Sequence, residues 1–323
     1  MKHAGFQHQA LIYEGPGEYL AGTVPFLKAA LEAGEPALVV VGRPQAELLR
    51  GALGRDSRRV EFAAMEEVGH NPAALFPLWR DFVEAGGGRP VRGISEAFLP
   101  ERGAAGLEEC HRSEGLLNVA FAEGTRWSLL CPYDACALGD QMLERAANAH
   151  CFISREGRTE RSAAFDPAPD CLAGALSPPA GSPEALPFGL SELSQVRARV
   201  TAAAEQAGMD RRGVADLVTA VSELAANSVM HGGGSGTLRI WCENGALLAE
   251  VTDRGLIEEP LVGRLRPDIS QEGGRGLWLA NQLCDLVQIR SGAEGTVVRL
   301  HTLAGRGSSP GSPGSRQFGL SNA

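Results

Sequence analysis

The sequence predicts two α/β domains joined by a proline-rich segment, and three observations support this. Residues 1–154 alternate short apolar runs with amphipathic stretches, and the run 37–41 (ALVVV) is continuously apolar, as in a strand buried on both faces. Residues 155–187 contain six prolines among Gly, Ala and Ser, which favours a linker. A long amphipathic helix, two alternating apolar runs and a glycine cluster then follow in order.

The first domain has the element order of a parallel sheet. Apolar runs predict strands at 10–13, 37–41, 60–63, 91–98 and 127–133, and helical spacing predicts helices at 18–33, 45–53, 71–85, 106–123 and 138–148. This alternation predicts a mostly parallel sheet covered on both sides. Strand 37–41 is followed by Gly42, Arg43 and Pro44 rather than by G-x-x-x-x-G-K-[ST]. The domain therefore has the layout of an NTPase without the phosphate-binding loop.

The second domain begins with a helix at 192–207, for which Ser191 is the expected N-cap. A helix at 210–230 follows, and then Asn244-Gly245 between alternating runs, which predicts a β hairpin. The boundaries we expect are 1–154 for the first domain, 155–185 for the linker, 186–303 for the second domain and 304–323 for a disordered tail rich in Gly, Ser and Pro.

Composition limits the kinds of partner. The 323 residues carry a net charge of −9, which matches nucleic acid poorly, so we expect no direct nucleic-acid binding. No apolar stretch reaches 18 residues and the N-terminus lacks the long apolar run of a signal peptide, so neither membrane insertion nor export is expected. Seven cysteines, an odd number spread along the chain, favour reduced thiols and a cytoplasmic location.

Three polar residues share one face of the helix at 210–230. Glu223, Asn227 and His231 lie four residues apart, so their side chains point the same way. The carboxamide oxygen of Asn227 is a hard ligand suited to Mg²⁺ that is shared with phosphates. Glu223, one turn earlier, is placed to accept a proton from an attacking hydroxyl.

Two further motifs suit a nucleotide. Asp253, at a predicted strand end, only accepts hydrogen bonds when ionised, which suits the exocyclic amine of adenine, and Gly255 leaves room for a base. A glycine-rich helix start would offer backbone N–H groups to phosphate oxygens; it consists of Gly273, Gly274, Arg275 and Gly276. The arginine would either reach the γ-phosphate or pair with a nearby glutamate. Each motif alone also fits an ordinary cap, turn or loop, but the ordered set of three is more specific.

Residues 184–302 thus resemble the GHKL ATPase superfamily, in particular the anti-sigma-factor serine kinases of the RsbW type. In this resemblance Glu223 and Asn227 match the N box, Asp253 and Gly255 the first glycine box, and residues 273–276 the second. The resemblance implies an α/β sandwich of the GHKL (Bergerat) type, with a mixed sheet, that binds ATP and Mg²⁺ beneath a short lid at 256–272.

The resemblance also assigns two further residues to the nucleotide and includes one departure. It implies contacts from His231 on the phosphate side and from Thr296 near the phosphates. The first glycine box usually reads D-x-G-x-G, and here its fifth position is Ile257. Because Ile257 replaces this glycine, the lid need not have the geometry that is usual in the family, and the affinity for ATP need not be the usual one either.

The first domain resembles the MEDS (DcmR-type) sensory domains, which are related to RecA/KaiC-type folds. The matching stretches are HQALIYEGPGEYL at 8–20 and LLCPYDACALGDQMLERAANAH at 129–150. The resemblance implies a regulatory input domain that senses a small organic ligand.

Three functional hypotheses follow. The first is an ATP-dependent serine/threonine kinase with Glu223 as base, whose expected partners are an anti-sigma-factor antagonist of the STAS type and a sigma factor; the resemblance also implies a homodimer. The second is a sensor histidine kinase, which needs a phosphoacceptor histidine before the ATP domain, yet residues 155–200 contain none. The third is a non-catalytic ATP-dependent binding switch.

Several residues of the first domain have both a functional and an ordinary interpretation. The cysteines and histidine at 131, 136, 150 and 151 fit no standard zinc spacing, so we favour buried thiols over a metal site. His8, Tyr13 and Glu14 would line a sensory pocket, but a surface His8 and a partly buried Tyr13 are the favoured interpretation. Asp134 suits either a ligand site at a strand end or a turn.

Overall fold

The computed structural model describes residues 5–124, 126–167, 169–267 and 274–303. The chain divides into two compact units between Pro169 and Asp170. The tail at 304–323 lies outside the described residues. Among the described helices, none is both long enough and apolar enough to cross a membrane.

The first unit contains a seven-stranded sheet of order β3-β2-β4-β5-β1-β6-β7. Only β6 and β7 pair antiparallel, which confirms the expected mostly parallel sheet. Its strands are β1 (Phe6–Tyr13), β2 (Ala37–Val41), β3 (Glu61–Ala64), β4 (Val91–Ser95), β5 (Trp127–Asp134), β6 (Phe152–Arg155) and β7 (Arg158–Arg161). Every residue of β2 is buried, as its continuous apolar sequence predicts.

Six α-helices connect these strands: α1 (Gly15–Ala33), α2 (Arg43–Leu53), α3 (Met65–Val68), α4 (Leu75–Ala85), α5 (Gly103–Ala120) and α6 (Asp140–Ala149). The predicted helix at 71–85 begins as a 3₁₀ turn at 72–74, because the Asn71 side chain accepts a hydrogen bond from the Ala73 N–H. The α-helix starts only after this turn.

The β6–β7 hairpin is an element that the sequence did not indicate. It lies partly inside the stretch that composition assigned to a linker. Glu156 and Gly157 connect the strands with φ angles of 51° and 74°. Two positive φ angles form a tight hairpin turn, but β7 is exposed along its whole length and shows no apolar alternation. The periodicity that reveals half-buried strands is therefore missing.

The second unit contains a five-stranded sheet of order β11-β12-β10-β9-β8, and its described residues include three α-helices. All four pairings are antiparallel, whereas the resemblance implied a mixed sheet. Its elements are β8 (Ala185–Phe188), α7 (Leu193–Gln206), α8 (Arg211–His231), β9 (Gly236–Glu243), β10 (Ala246–Asp253), α9 (Arg275–Leu283), β11 (Leu286–Gly292) and β12 (Gly295–Leu303).

The hairpin predicted between β9 and β10 is present. Asn244 and Gly245 have φ angles of 50° and 78°, as in a two-residue hairpin turn. Alternate residues of β10, among them Leu247 and Val251, join the apolar stripe of α8 in the core. This packing fixes Asp253, the last residue of β10, beside the C-terminal half of α8.

The opposite face of this sheet combines a small apolar cluster, Trp241, Ala246 and Leu248, with a buried ion pair, and residues from the stretch 170–184 contact the sheet. Arg299 donates two hydrogen bonds to the buried carboxylate of Glu250, at 2.6 and 3.0 Å, and a third to the carbonyl oxygen of Ser177 at 2.9 Å. The Ser291 N–H donates to the Leu172 carbonyl oxygen at 3.0 Å. The proline-rich stretch from 170 onward is thus ordered against the second unit.

The N-terminus of α7 differs from the one predicted from the sequence, whereas α8 has a side-chain cap. The predicted capping role of Ser191 is wrong: its hydroxyl donates to the Glu192 carboxylate, which also accepts the Gly189 N–H at 2.8 Å. Residues 190–192 form a 3₁₀ turn, so α7 begins only at Leu193. Asp210 caps α8 by accepting the Gly213 N–H at 2.7 Å.

Candidate functional site

One cavity of about 260 Å³ opens beside the C-terminal half of α8. Its walls come from α8, the end of β10, residues 255–262, the start of α9 and β12. The lining is mainly apolar with a few polar groups, as is typical of small-molecule sites. The sequence-predicted residues that line it are Asn227, His231, Asp253, Gly255, Gly274 and Thr296.

Asp253 is fixed in the cavity wall by both carboxylate oxygens. The Ser228 hydroxyl donates to Oδ2 at 2.6 Å, and the Gly255 N–H donates to Oδ1 at 2.8 Å. A carboxylate has about four acceptor positions, so it can accept more hydrogen bonds than these two. Ser228 was not singled out from the sequence, although it follows Asn227 directly and orients the carboxylate.

Glycine at 232 and 255 allows the chain to pass close to this carboxylate. A Cβ on Gly232 would lie 2.5 Å from Asp253 Cγ, and a Cβ on Gly255 would lie 2.9 Å from the His231 carbonyl oxygen. Both distances are shorter than van der Waals contact allows. The close approach of α8 to the end of β10 therefore requires these glycines.

Thr296 lies at the same end of the cavity as Asp253. The two residues are directly paired across β10 and β12. The Thr296 hydroxyl donates to the Gly255 carbonyl oxygen at 2.8 Å and also contacts Ser291 Oγ at 2.8 Å. The resemblance implies a position near the phosphates for this threonine, which lines the cavity and also holds the turn that carries Gly255.

Ile257 is accommodated without backbone strain. Among the described non-glycine residues, only Glu156 and Asn244 have positive φ angles, so Ile257 occupies ordinary backbone space. Its N–H donates to Ser291 Oγ at 2.8 Å, and its side chain packs against the core of the second unit. The departure from D-x-G-x-G thus adds an apolar contact to the cavity wall.

The glycine-rich helix start packs against the polar face of α8. A Cβ on Gly276 would lie 3.0 Å from Asn227 Nδ2 and 3.1 Å from Glu223 Oε2. Glu223 itself is not among the cavity-lining residues. Its carboxylate instead lies beside Gly276 at the start of α9.

The remaining predicted site residues lie at the edge of the cavity or beyond the described part of the chain. Gly274, with a φ of 78°, is the N-cap residue of α9, and Arg275 is exposed. Gly273 lies outside the described residues, and the lid predicted at 256–272 is described only as far as residue 267.

In the first unit, the structure corrects two interpretations of single residues. His8 is fully buried rather than at the surface, and Tyr13 is 4% exposed rather than partly buried. The Tyr13 hydroxyl donates to Glu96 Oε1 at 2.7 Å, and burial raises the pKa of Glu96 to about 7. Asp134 accepts the Cys136 N–H at 2.9 Å, the turn-forming contact that was one of its two interpretations.

Comparison with known families gives a match for each unit. Residues 7–151 match the family model MEDS, described as the methanogen/methylotroph, DcmR sensory domain, and residues 186–302 match the histidine kinase-like ATPase domain. The chain joins a MEDS domain to a histidine kinase-like ATPase domain. The cavity beside α8 therefore lies in the ATPase domain, and His8, Tyr13 and Glu96 lie in the MEDS domain.

A crystal structure of the RsbU and RsbW domains of a Mycobacterium tuberculosis protein aligns at 25% identity over 37% of this chain, with a TM-score of 0.28. The alignment covers 32%, about a third, of that protein's chain. No curated protein matches this chain significantly.

Proposed function

We propose that the ATPase domain binds ATP with Mg²⁺ and transfers the γ-phosphate to a serine or threonine of a partner protein. The observation that carries the proposal is the convergence of three distant motifs on one cavity: Asn227 on α8, Asp253 at the end of β10 and Gly274 at the start of α9.

The residues of the cavity fit an adenine nucleotide. The Asp253 carboxylate, held by Ser228 and Gly255, would accept the exocyclic amine of the base. The cavity is also lined by apolar side chains that suit the flat adenine ring: Leu224, Val251, Ile257, Val262, Leu277 and Val298. Phosphates would extend toward Gly274 and the N-terminus of α9, where backbone N–H groups attract anions.

Asn227 and Glu223 would act at the phosphate end. The Asn227 carboxamide would hold the cation, and bound Mg²⁺ would offset the charge of the phosphate oxygens. Glu223, one helical turn away and beside Gly276, would accept the proton of the partner's hydroxyl as its oxygen bonds to the γ-phosphorus and the bond from that phosphorus to the ADP oxygen breaks. His231, Arg275 and Thr296 complete the proposed nucleotide site.

The proposed partners come from the resemblance to the anti-sigma-factor kinases. They are a STAS-type antagonist as phosphate acceptor and a sigma factor bound at another surface, with the kinase acting as a homodimer. A small organic ligand at the MEDS domain would regulate this activity. All seven cysteines are free, which supports a cytoplasmic location.

Nucleotide binding tests the first half of the proposal. We expect Mg²⁺-dependent binding of ATP that exceeds binding of GTP, because GTP carries a carbonyl oxygen where adenine has its amine. Asp253→Asn should weaken ATP binding at least tenfold and reduce the preference over GTP. Asp216→Asn is the matched control, since Asp216 lies on the same helix and is not among the lining residues. Equal effects of the two substitutions would contradict the proposed site.

Phosphoryl transfer tests the second half. Glu223→Gln should retain ATP binding but lose transfer to a candidate antagonist, whereas Glu205→Gln, an exposed site on α7, should retain both. An acid-stable phosphoserine product distinguishes this kinase from a histidine kinase, whose phosphohistidine is acid-labile. ATP binding without transfer, unaffected by Glu223→Gln, would favour the non-catalytic switch, for which Asp253→Ala should abolish control of the partner.

A further inference from the structure

Four buried side chains with metal-binding atoms meet in the MEDS domain. They are His8 on β1, Glu114 on α5, Cys131 on β5 and His150 between α6 and β6. One ligand atom from each lies within 4.8 Å of all the others. None of the four is more than 2% exposed.

Hydrogen bonds determine which nitrogen of each imidazole faces the cluster. Asn118 Nδ2 donates to the Ala149 carbonyl oxygen at 2.8 Å, so its Oδ1 points to His8 Nδ1 at 3.2 Å and that nitrogen must carry a hydrogen. Likewise His150 Nδ1 lies 2.8 Å from the Ala146 carbonyl oxygen, which can only accept. In both neutral rings the lone pair is therefore on Nε2.

Both Nε2 atoms face the same carboxylate oxygen. Glu114 Oε2 lies 2.9 Å from His8 Nε2 and 3.2 Å from His150 Nε2, and Cys131 Sγ lies 3.3 Å from His8 Nε2. Lone pairs directed at a buried carboxylate repel it unless positive charge lies between them, and one shared proton relieves only one of the two Nε2 contacts. Protonating both rings would place two buried cations at a centroid distance of 4.0 Å, which burial and mutual repulsion oppose.

We propose that the MEDS domain binds one divalent transition-metal ion, with Zn²⁺ the best match, through His8 Nε2, His150 Nε2, the Glu114 carboxylate and the Cys131 thiolate. Two neutral imidazoles, one carboxylate and one thiolate balance a 2+ charge. Tetrahedral zinc with bonds of about 2.0–2.3 Å separates its ligand atoms by about 3.3–3.6 Å. The contacts of 2.9–3.3 Å thus need to open by only a few tenths of an ångström.

The surroundings match those of metal-binding histidines. Such histidines usually donate their second ring N–H to a carbonyl or carboxylate, which orients the ring. Asn118 and Ala146 supply these acceptors here. Because all four positions would be filled by protein atoms and water is excluded, the ion stabilises the domain by linking β1, α5, β5 and the end of α6.

Sequence spacing did not reveal this cluster. The sequence spacing considered for a metal site involved Cys131, Cys136, His150 and Cys151. In the structure Cys136 is exposed and lies outside the cluster. The ligands that complete it, His8 and Glu114, are 106 positions apart (114 − 8), and only the parallel sheet and α5 bring them together.

The test is metal binding by the full-length reduced protein. We expect about one Zn²⁺ per chain after reconstitution. With Co²⁺ as the probe, intense visible bands should report four-coordination, and a near-ultraviolet band should report the sulfur ligand. Cys131→Ser should remove the near-ultraviolet band, whereas Cys136→Ser should keep both signals. Asn118→Leu, which leaves all four ligands in place, should weaken metal binding about 10–100-fold.

A second measurement covers variants that fail to fold. Chelator treatment of the wild-type chain should lower the unfolding temperature, and Zn²⁺ alone should restore it. The proposal is overturned if the stripped wild-type protein takes up no Co²⁺, or if uptake persists in Cys131→Ser and disappears in Cys136→Ser. ATP binding by the other domain does not enter either readout, so this proposal and the proposed kinase function fail separately.

Discussion

At the scale of single residues, glycine 232 determines how closely α8 approaches Asp253. Gly232→Ala would place a Cβ 2.5 Å from Asp253 Cγ and 2.7 Å from the Ser228 carbonyl oxygen. We expect the carboxylate to be displaced, with ATP binding weakened at least tenfold and the free energy of unfolding lowered by about 1–3 kcal/mol. Calorimetric titration and urea denaturation measure the two effects.

Gly292→Ala is the control for this substitution. Gly292 ends β11, has no positive φ angle and would place its Cβ in open space. Gly292→Ala should therefore leave ATP affinity and the free energy of unfolding almost unchanged. Wild-type affinity in Gly232→Ala would show that the position of Asp253 does not govern nucleotide binding.

Glu96 makes the free energy of unfolding of the MEDS domain depend on pH. Burial raises its folded-state pKa from 4.5 to about 7, and the nearby carboxylates of Asp134 and Glu66 act in the same direction, while the Tyr13 hydroxyl opposes them. The folded state therefore keeps a proton that the unfolded state releases above pH 4.5. This contribution to stability is complete below pH 4.5 and is lost as the pH rises through about 7.

Glu96→Gln should remove this loss. Gln carries no titrating proton and still offers an oxygen to the Tyr13 hydroxyl. At pH 8 we expect the variant to be more stable than wild type by about 1–3 kcal/mol, with little difference at pH 4.5. Urea denaturation at both pH values provides the measurement, and equal stabilities at pH 8 would rule out a buried, titrating Glu96.

At the scale of elements, the N-cap of α8 supports the helix that carries the candidate site. Asp210 accepts the Gly213 N–H at 2.7 Å. Asp210→Ala should lower the free energy of unfolding by about 1 kcal/mol, because a backbone N–H loses its acceptor. Asp210→Asn retains an acceptor and should recover most of this loss in thermal denaturation. Equal losses in both variants would point to the charge rather than the cap.

The β9–β10 hairpin and β2 show which elements local sequence controls. Asn244-Gly245 favours positive φ angles at both turn positions, and the structure has them. The uninterrupted run ALVVV became a fully buried strand. The β6–β7 hairpin uses an equally tight turn, but exposed strands carry no apolar period, so local sequence did not reveal it.

At the scale of the whole molecule, each proposed ligand belongs to one domain. We expect Mg²⁺ with a non-hydrolysable ATP analogue to raise the unfolding transition of the ATPase domain, and Zn²⁺ to raise that of the MEDS domain. Each shift should grow with the logarithm of free ligand above its dissociation constant. Differential scanning calorimetry of the full chain measures both, with Asp253→Asn and Cys131→Ser as the variants that should each lose one shift.

The sequence by itself indicated two domains, their families and six of the residues that line the cavity beside α8, because these features rest on short motifs and local periodicity. Glu223, Asn227 and His231 share a helix face wherever that helix packs. Only the tertiary structure showed that Ser228 and Gly255 hold Asp253, that Arg299 donates to the Ser177 carbonyl oxygen, and that His8 meets Glu114. These contacts join residues far apart in the chain, and their chemistry depends on burial and side-chain direction, which strand order and packing decide and local sequence does not encode.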